Sequence, residues 1–189
     1  MGWQKIARRI RVPMGFAFAA LYLWLAKPSW RTIALSLGLV LPGLWLRGYA
    51  SGYVCKDTQL TTTGPYAHTR NPLYLGSMLI AFGFAAAAAS WVILVLLVAL
   101  FAAIYIPTIL SEEAYLREHF TGFAAYARVV PRLLPRGAGA DKEMAMDGSG
   151  PAGNRFSTEL YLRHREYNSA MGAVVLYLAL LLKLLFFTR

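Results

Sequence analysis

The sequence predicts an all-α, polytopic membrane helix bundle of about five transmembrane helices with one cytoplasmic amphipathic helix. Three observations lead there. Hydrophobic residues make up 58% of the 189 and charged residues only 15%, whereas soluble domains are roughly 25% charged. The apolar residues gather into runs near the length that crosses a bilayer. The charges lie between those runs and are strongly basic, at net +10.

Taken in order, residues 13–26 are a short apolar run preceded by Lys5, Arg8, Arg9 and Arg11. No small-residue cleavage site follows it, so a span is expected rather than a removable leader. Lys27-Pro28-Ser29-Trp30-Arg31 reads as a tight turn with an interfacial tryptophan. Residues 32–50 form the second span, where Pro42 and Gly43 permit a kink. Residues 73–89 and 91–110 form the third and fourth, joined so closely that they make a helical hairpin. Five alanines, Ala85 to Ala89, let helices approach there.

Beyond the hairpin, Ser111 reads as an N-cap with Glu112 and Glu113 in the first turn of a new helix. Glu112, Leu116, Phe120, Phe123 and Ala127 fall near one face, which predicts a helix lying along the membrane surface. The chain then divides into a membrane core at 1–135, a flexible Gly/Ala/Asp-rich linker at 136–157, and an additional C-terminal span within 158–189. In that span Lys183 sits near the far end, where its stem can snorkel.

Composition also excludes functions. A single cysteine, Cys55, rules out an internal disulfide, and three scattered histidines (His68, His119, His164) give no metal-ligand spacing, so no metal is expected. In a chain this apolar the basic excess belongs to topology and anionic headgroups, not to nucleic acid. Most of the 19 basic residues fall on one side if the N-terminus is cytoplasmic. The positive-inside rule then puts the polar segment 51–72 and the Glu112 segment on the same, cytoplasmic side.

The most informative stretch is Gly64-Pro65-Tyr66-Ala67-His68-Thr69-Arg70-Asn71-Pro72-Leu73-Tyr74-Leu75-Gly76. Gly64-Pro65 marks a turn, and Pro72 discourages helix at Asn71 while suiting the first turn of the helix that follows. Arg70, Asn71 and Tyr74 are thereby expected where a membrane helix meets water. The short hairpin returns Glu112 and Glu113 to the same level. Such a constellation has cations, acids, aromatics and a helix N-terminus. It has no nucleophile–base pair, no glycine-rich dinucleotide loop and no metal cage. That favours group transfer from a bound small molecule carrying its own reactive atom.

The pattern GPYxxxRNPxYxG, an apolar hairpin, EExxLxxxF, Tyr126 and Val130-Pro131-Arg132-Leu133-Leu134-Pro135 resembles the isoprenylcysteine carboxyl methyltransferase and phospholipid N-methyltransferase family over residues 47–135. The resemblance implies an integral-membrane enzyme that takes a methyl group from S-adenosylmethionine. It implies cofactor contacts from Thr58, Gln59, Leu60, Thr61, Tyr66, Arg70, Asn71, Pro72, Leu73, Tyr74 and Glu112, with Arg70 and Glu113 as the catalytic candidates. The acceptor it implies is a membrane lipid or lipidated carboxylate. One departure bears on that acceptor. The isoprenylcysteine branch is expected to have a carboxylate-binding arginine one turn before the first glutamate, and this chain has Thr108. The fifth span is matched only as an apolar segment, and either walls a lipid entrance or supports a homo-oligomer. The alternatives are phospholipid N-methylation, an NADPH-dependent membrane reductase, and a non-catalytic headgroup-binding module.

Overall fold

The computed structural model describes residues 18–54, 59–135 and 155–187. The N-terminal basic cluster, the first part of the predicted first span, Cys55, Lys56, Asp57, Thr58 and residues 136–154 of the predicted linker lie outside the described residues.

Among the described residues every regular element is a helix. Helix α1 occupies 18–25. Helix α2 (Trp30–Ser51) opens on a capping box, in which Ser29 Oγ accepts from the Thr32 amide and the Thr32 hydroxyl serves the Ser29 amide. After a 3₁₀ turn (Gly64–Ala67), α3 (Pro72–Ala88) starts with proline in its first turn, as the Asn71-Pro72 pair predicts. A left-handed Ala89 (φ 48°) turns the chain into α4 (Trp91–Leu100), so the expected tight hairpin forms. A wide π turn (Phe101–Tyr105) leads without a break into α5 (Ile106–His119). Short helices α6 (Phe123–Val129) and α7 (Thr158–His164) precede the last helix, α8 (Tyr167–Phe187).

Three helical runs are long and apolar enough to cross a membrane: Trp30–Ser51, Trp91–His119 and Tyr167–Phe186. Helix α3 is apolar but has only 17 residues, a rise of about 26 Å. The first expected span contributes only residues 18–25 to the described structure. The expectation of about five spans therefore stands at three by length and hydropathy. Large apolar side chains such as Trp91, Val95, Leu96, Val174, Val175 and Leu178 point outward, as a lipid-facing surface requires.

The expected surface helix is corrected. Ser111 does not cap a new helix. It lies inside the continuous run Trp91–His119, so Glu112 and Glu113 have a helical turn before them and are not first-turn acids. The cause lies at Pro107, which has no N–H to give. The π turn absorbs this by an Ile106 amide bond to the Phe101 carbonyl, and the Thr108 hydroxyl donates to the Ile104 carbonyl at 2.6 Å. The helix thus continues past the length of a bilayer core and delivers its acids from above.

Close packing of α2 on α3 aligns the bundle. A Cβ on Gly83 would stand 2.5 Å from Val40 Cγ2 and 3.1 Å from the Ser36 carbonyl oxygen, and one on Gly43 would stand 2.8 Å from the Gly76 carbonyl oxygen. Small residues at these crossings let two backbones touch, and in lipid such packing is a main source of helix association. The contacts pair the start of α2 with the end of α3 (Thr32 Oγ1 to the Ala87 carbonyl, 3.2 Å) and the end of α2 with the start of α3, so the two run antiparallel.

Helix α8 runs against α2 in the same sense as α3. Glu166 meets Arg47, Tyr177 Oη meets Ser36 Oγ at 2.8 Å, and Lys183 Nζ bonds the Leu23 and Trp24 carbonyls at the end of α1. Lys183 therefore caps a neighbouring helix end, where a cation is favoured, in addition to lying near its own. Residues 155–157, placed in the predicted linker, are instead fixed. Phe156 stacks on Tyr49 at 6.1 Å, and the Ser157 amide bonds the Gly52 carbonyl at 2.9 Å.

Candidate functional site

The end of α2, the start of α3, the end of α5 and the start of α8 converge on one cavity of about 440 Å³, within the range usual for small-molecule sites. Its lining includes Gln59, Leu60, Tyr66, Arg70, Asn71, Pro72, Leu73, Tyr74, Glu112 and Glu113. Every expected site residue that is described thus meets at one place. The two polar motifs, distant in sequence, share one end of the bundle.

Two contacts join the motifs directly. Tyr74 Oη donates to Glu112 Oε1 at 2.7 Å, and Arg70 Nη1 pairs with Glu113 Oε1 at 3.2 Å. Glu113 is buried, and Arg132 approaches it as a fork, with Nε 3.0 Å from Oε1 and Nη2 2.9 Å from Oε2. The Glu113 hydrogen bonds hold the Arg132 guanidinium even more firmly protonated than usual, and its charge acts in the same direction. Both oxygens of Glu113 are therefore engaged by guanidinium groups, an arrangement suited to fixing Arg70 in place. Arg70 Nε is buried with no hydrogen-bond partner among the described residues. Glu112 is exposed, and no cation pairs with it among the described residues.

The floor under these groups explains the segment Val130-Pro131-Arg132-Leu133. It is laced to the opening loop by the Arg70 amide to the Pro131 carbonyl (2.9 Å), Asn71 Nδ2 to the Arg132 carbonyl (2.9 Å) and Thr69 Oγ1 to the Leu133 carbonyl (2.9 Å). Asn71 therefore uses its side chain to hold this strap and does not cap α3. Below, Phe123, Tyr126 and Val130 form a small buried core against Leu60, Leu116 and Phe120, and Tyr126 Oη donates to the Tyr66 carbonyl at 2.7 Å. Burial raises the Tyr66 and Tyr126 phenols well above their ordinary range. Both stay neutral at physiological pH and act as packing and hydrogen-bonding groups.

Sequence reasoning missed three charged residues of the site. Arg47 and Glu166 line the cavity as a two-pronged ion pair, Nη2 to Oε1 at 2.9 Å and Nε to Oε2 at 3.0 Å, and Arg47 also reaches Ser77 Oγ. Arg132 holds Glu113. One signal for Glu166 was present: an acid standing beside Arg163 and Arg165 just before an apolar run, on the same expected side as Arg47. His68 and Thr108 are not part of the cavity lining.

Comparison with known proteins finds similarity over the stretch that builds most of this cavity. Residues 33–122 match the sequence model described as Phospholipid methyltransferase. The cobalt-zinc-cadmium resistance protein CzcN of Cupriavidus metallidurans is 38% identical over 93 residues, 49% of this chain and 42% of that protein. The nickel-cobalt-cadmium resistance protein NccN of Alcaligenes xylosoxydans xylosoxydans is 39% identical over 93 residues, 49% of this chain and 43% of that protein. The chain thus spans less than half the length of these curated relatives. No solved structure matches it. Among the described residues no group of three or more His, Cys, Asp or Glu is placed to hold a metal ion. The loop, hairpin and glutamate pair that build the cavity all fall within residues 33–122, the stretch over which the chain is similar to the phospholipid methyltransferase family.

Proposed function

We propose that the protein transfers a methyl group from S-adenosylmethionine to a lipid-like acceptor at the cytoplasmic membrane face, in the manner of an isoprenylcysteine carboxyl methyltransferase. The observation that carries this is the pair of links Tyr74–Glu112 and Arg70–Glu113, which bring both family motifs to one cavity. The residues present fit a zwitterionic sulfonium compound. Glu112, a carboxylate bonded only to a phenol among the described residues, and Arg70, whose buried Nε–H has no partner among them, line the same cavity.

When bound, S-adenosylmethionine supplies a methyl carbon already made electrophilic by its sulfonium; the methyl–sulfur bond breaks as the bond to the acceptor forms, leaving a neutral thioether. The protein's task is then to bind and align. Glu112 offers negative charge to the ligand's cationic groups, and Tyr74 holds that carboxylate by its hydroxyl. Arg70 turns a donor toward the ligand's carboxylate. Glu113 and Arg132 are positioning residues that fix Arg70. Tyr66 and Tyr74 present aromatic surface, which attracts cations and flat rings. Holding two reactants in line is worth up to roughly 7–11 kcal/mol.

A carboxylate acceptor is nucleophilic without losing a proton. That suits a cavity in which Glu113 and Glu166 are each engaged by an arginine. Phospholipid N-methylation is the second reading, favoured by the matching family's description. It requires a proton acceptor, and Glu112, exposed and paired only with a phenol, is the group that lines the cavity in that state. Calorimetry on the purified protein with S-adenosylmethionine, its demethylated product and NADPH tests the proposal. Binding of the first two and not the third is expected. A response to NADPH alone turns the reading toward a reductase, and no response to any of the three removes it.

A further inference from the structure

Arg47, near the end of α2, is held from two sides. Its Nε lies 3.0 Å from Glu166 Oε2 and its Nη2 2.9 Å from Glu166 Oε1, while Nη1 bonds Ser77 Oγ and stands 3.5 Å from the Leu73 carbonyl oxygen. Ser169 Oγ donates to Glu166 Oε2 at 3.2 Å, so the acid is fixed as well. The stem of Arg47 crosses α3 where Gly76 leaves room: a Cβ there would stand 2.6 Å from Arg47 Cγ. Glu166 reaches this place because the segment before it docks on the end of α2. The Ser157 amide bonds the Gly52 carbonyl at 2.9 Å, and His164 Nδ1 lies 3.0 Å from the Ser51 carbonyl oxygen. Glu166 stands beyond residues 33–122, the stretch similar to the family. It nevertheless lines the same cavity as Glu112, and so does Arg47. After burial and the neighbouring Tyr126, the charges of Glu112 and Glu166 both raise the Tyr66 phenol, so the two acids act on one point of the cavity. Among the described residues Glu112 is the acid of this lining that no cation pairs with.

We propose that Glu166, brought in ahead of the C-terminal helix, is a positioning residue of the site: it holds Arg47 against α3 and so keeps that guanidinium off Glu112. The inference rests on the methyltransferase reading and adds a residue that acts on its site from outside the family-like stretch. Arg47 meets α3 at Leu73, the neighbour of Tyr74, whose hydroxyl holds Glu112. With the Glu166 charge gone, Glu112 is the acid of the cavity left for Arg47 to pair with. A Glu112 paired in that way has no charge to offer a cationic ligand.

The test uses the full chain in detergent micelles and calorimetry with the demethylated product of S-adenosylmethionine. Glu166→Gln keeps the shape and should weaken product binding about tenfold, the effect of losing a hydrogen bond to a charged group. Glu166→Asp keeps the charge and should recover most of that loss. Glu112→Gln added to Glu166→Gln should cost little more, because Arg47 has already taken that carboxylate. A merely structural Glu166 makes the two losses multiply to about a hundredfold, as independent sites do. Arg47→Met added to Glu166→Gln removes the freed cation and should restore binding. It leaves no lone charge inside, so it also carries the test if the single variant does not fold. Parent-like binding in Glu166→Gln, multiplied losses, or no recovery with Arg47→Met overturns the positioning role and leaves the methyltransferase reading intact. A parent protein that binds no product overturns that reading, and the role of Glu166 with it.

Discussion

Tyr74 Oη lies 2.7 Å from Glu112 Oε1, a bond that spans 38 residues of sequence and closes one side of the cavity. Among the described residues no cation pairs with Glu112, so its charge remains available to a ligand. We expect Glu112→Gln to weaken S-adenosylmethionine binding by about tenfold or more, as for a lost hydrogen bond to a charged group. Tyr74→Phe should cost less, since the carboxylate remains. Both variants should melt within a few degrees of the parent protein. Calorimetry with each variant decides it, and unchanged affinity in Glu112→Gln removes this residue from the site.

Glu113 differs from its neighbour in being buried between two guanidinium groups. Glu113→Leu leaves Arg70 buried without a counter-charge, and breaking a buried pair in this way costs roughly 3–5 kcal/mol. Arg70→Met combined with Glu113→Leu should be more stable than Glu113→Leu alone, because no lone charge is left inside. Urea or thermal unfolding in micelles measures this. A double variant less stable than the single one would show that the pair is not the source of the loss.

The contact of α2 with α3 tolerates no side chain at Gly83, whose Cβ would strike Val40, whereas Gly38 on the same α2 has nothing within 4 Å. We expect Gly83→Val to lose about 1–3 kcal/mol or fail to assemble, the usual cost of overpacking. Gly38→Val should be nearly neutral. Equal melting temperatures for the two variants would mean that the helices are free to shift apart.

The buried phenols Tyr66 and Tyr126 set an alkaline limit. Their native pKa values are raised by burial above the ordinary value near 10. Above pH 10 the unfolded chain releases protons that the native state keeps. Stability is therefore level below about pH 10 and falls above it, by up to ~1.4 kcal/mol per pH unit for each phenol. Tyr126→Phe should lower the plateau through its lost bond to Tyr66, yet flatten the alkaline slope. Melting temperatures between pH 8 and 11 test this, and parallel slopes in the two proteins would refute it.

Much of the site was legible because polar residues in an apolar chain have few reasons to be there. Gly64-Pro65 and Asn71-Pro72 announced a turn and a helix start through backbone chemistry alone, and the hairpin length implied that Glu112 and Glu113 return to the same level. The roles of Arg47, Arg132 and Glu166 were not legible. Arg47 and Arg132 read equally well as topology-setting charges, and Arg47 finds Glu166 only across 119 residues of chain. Ser111 misled for a local reason: Ser-Glu-Glu is the pattern of a helix start, but a helix already under way overrides it.

The π turn at Phe101–Tyr105 has an effect on everything downstream of it. One residue more than an ordinary turn delays the angular phase of the rod by about 100°. The lipid-spanning half and the acid-bearing half are therefore set like two hands of a clock, their angle fixed by a single residue. Removing that residue would leave both halves helical and swing Glu112 and Glu113 away from Tyr74 and Arg70.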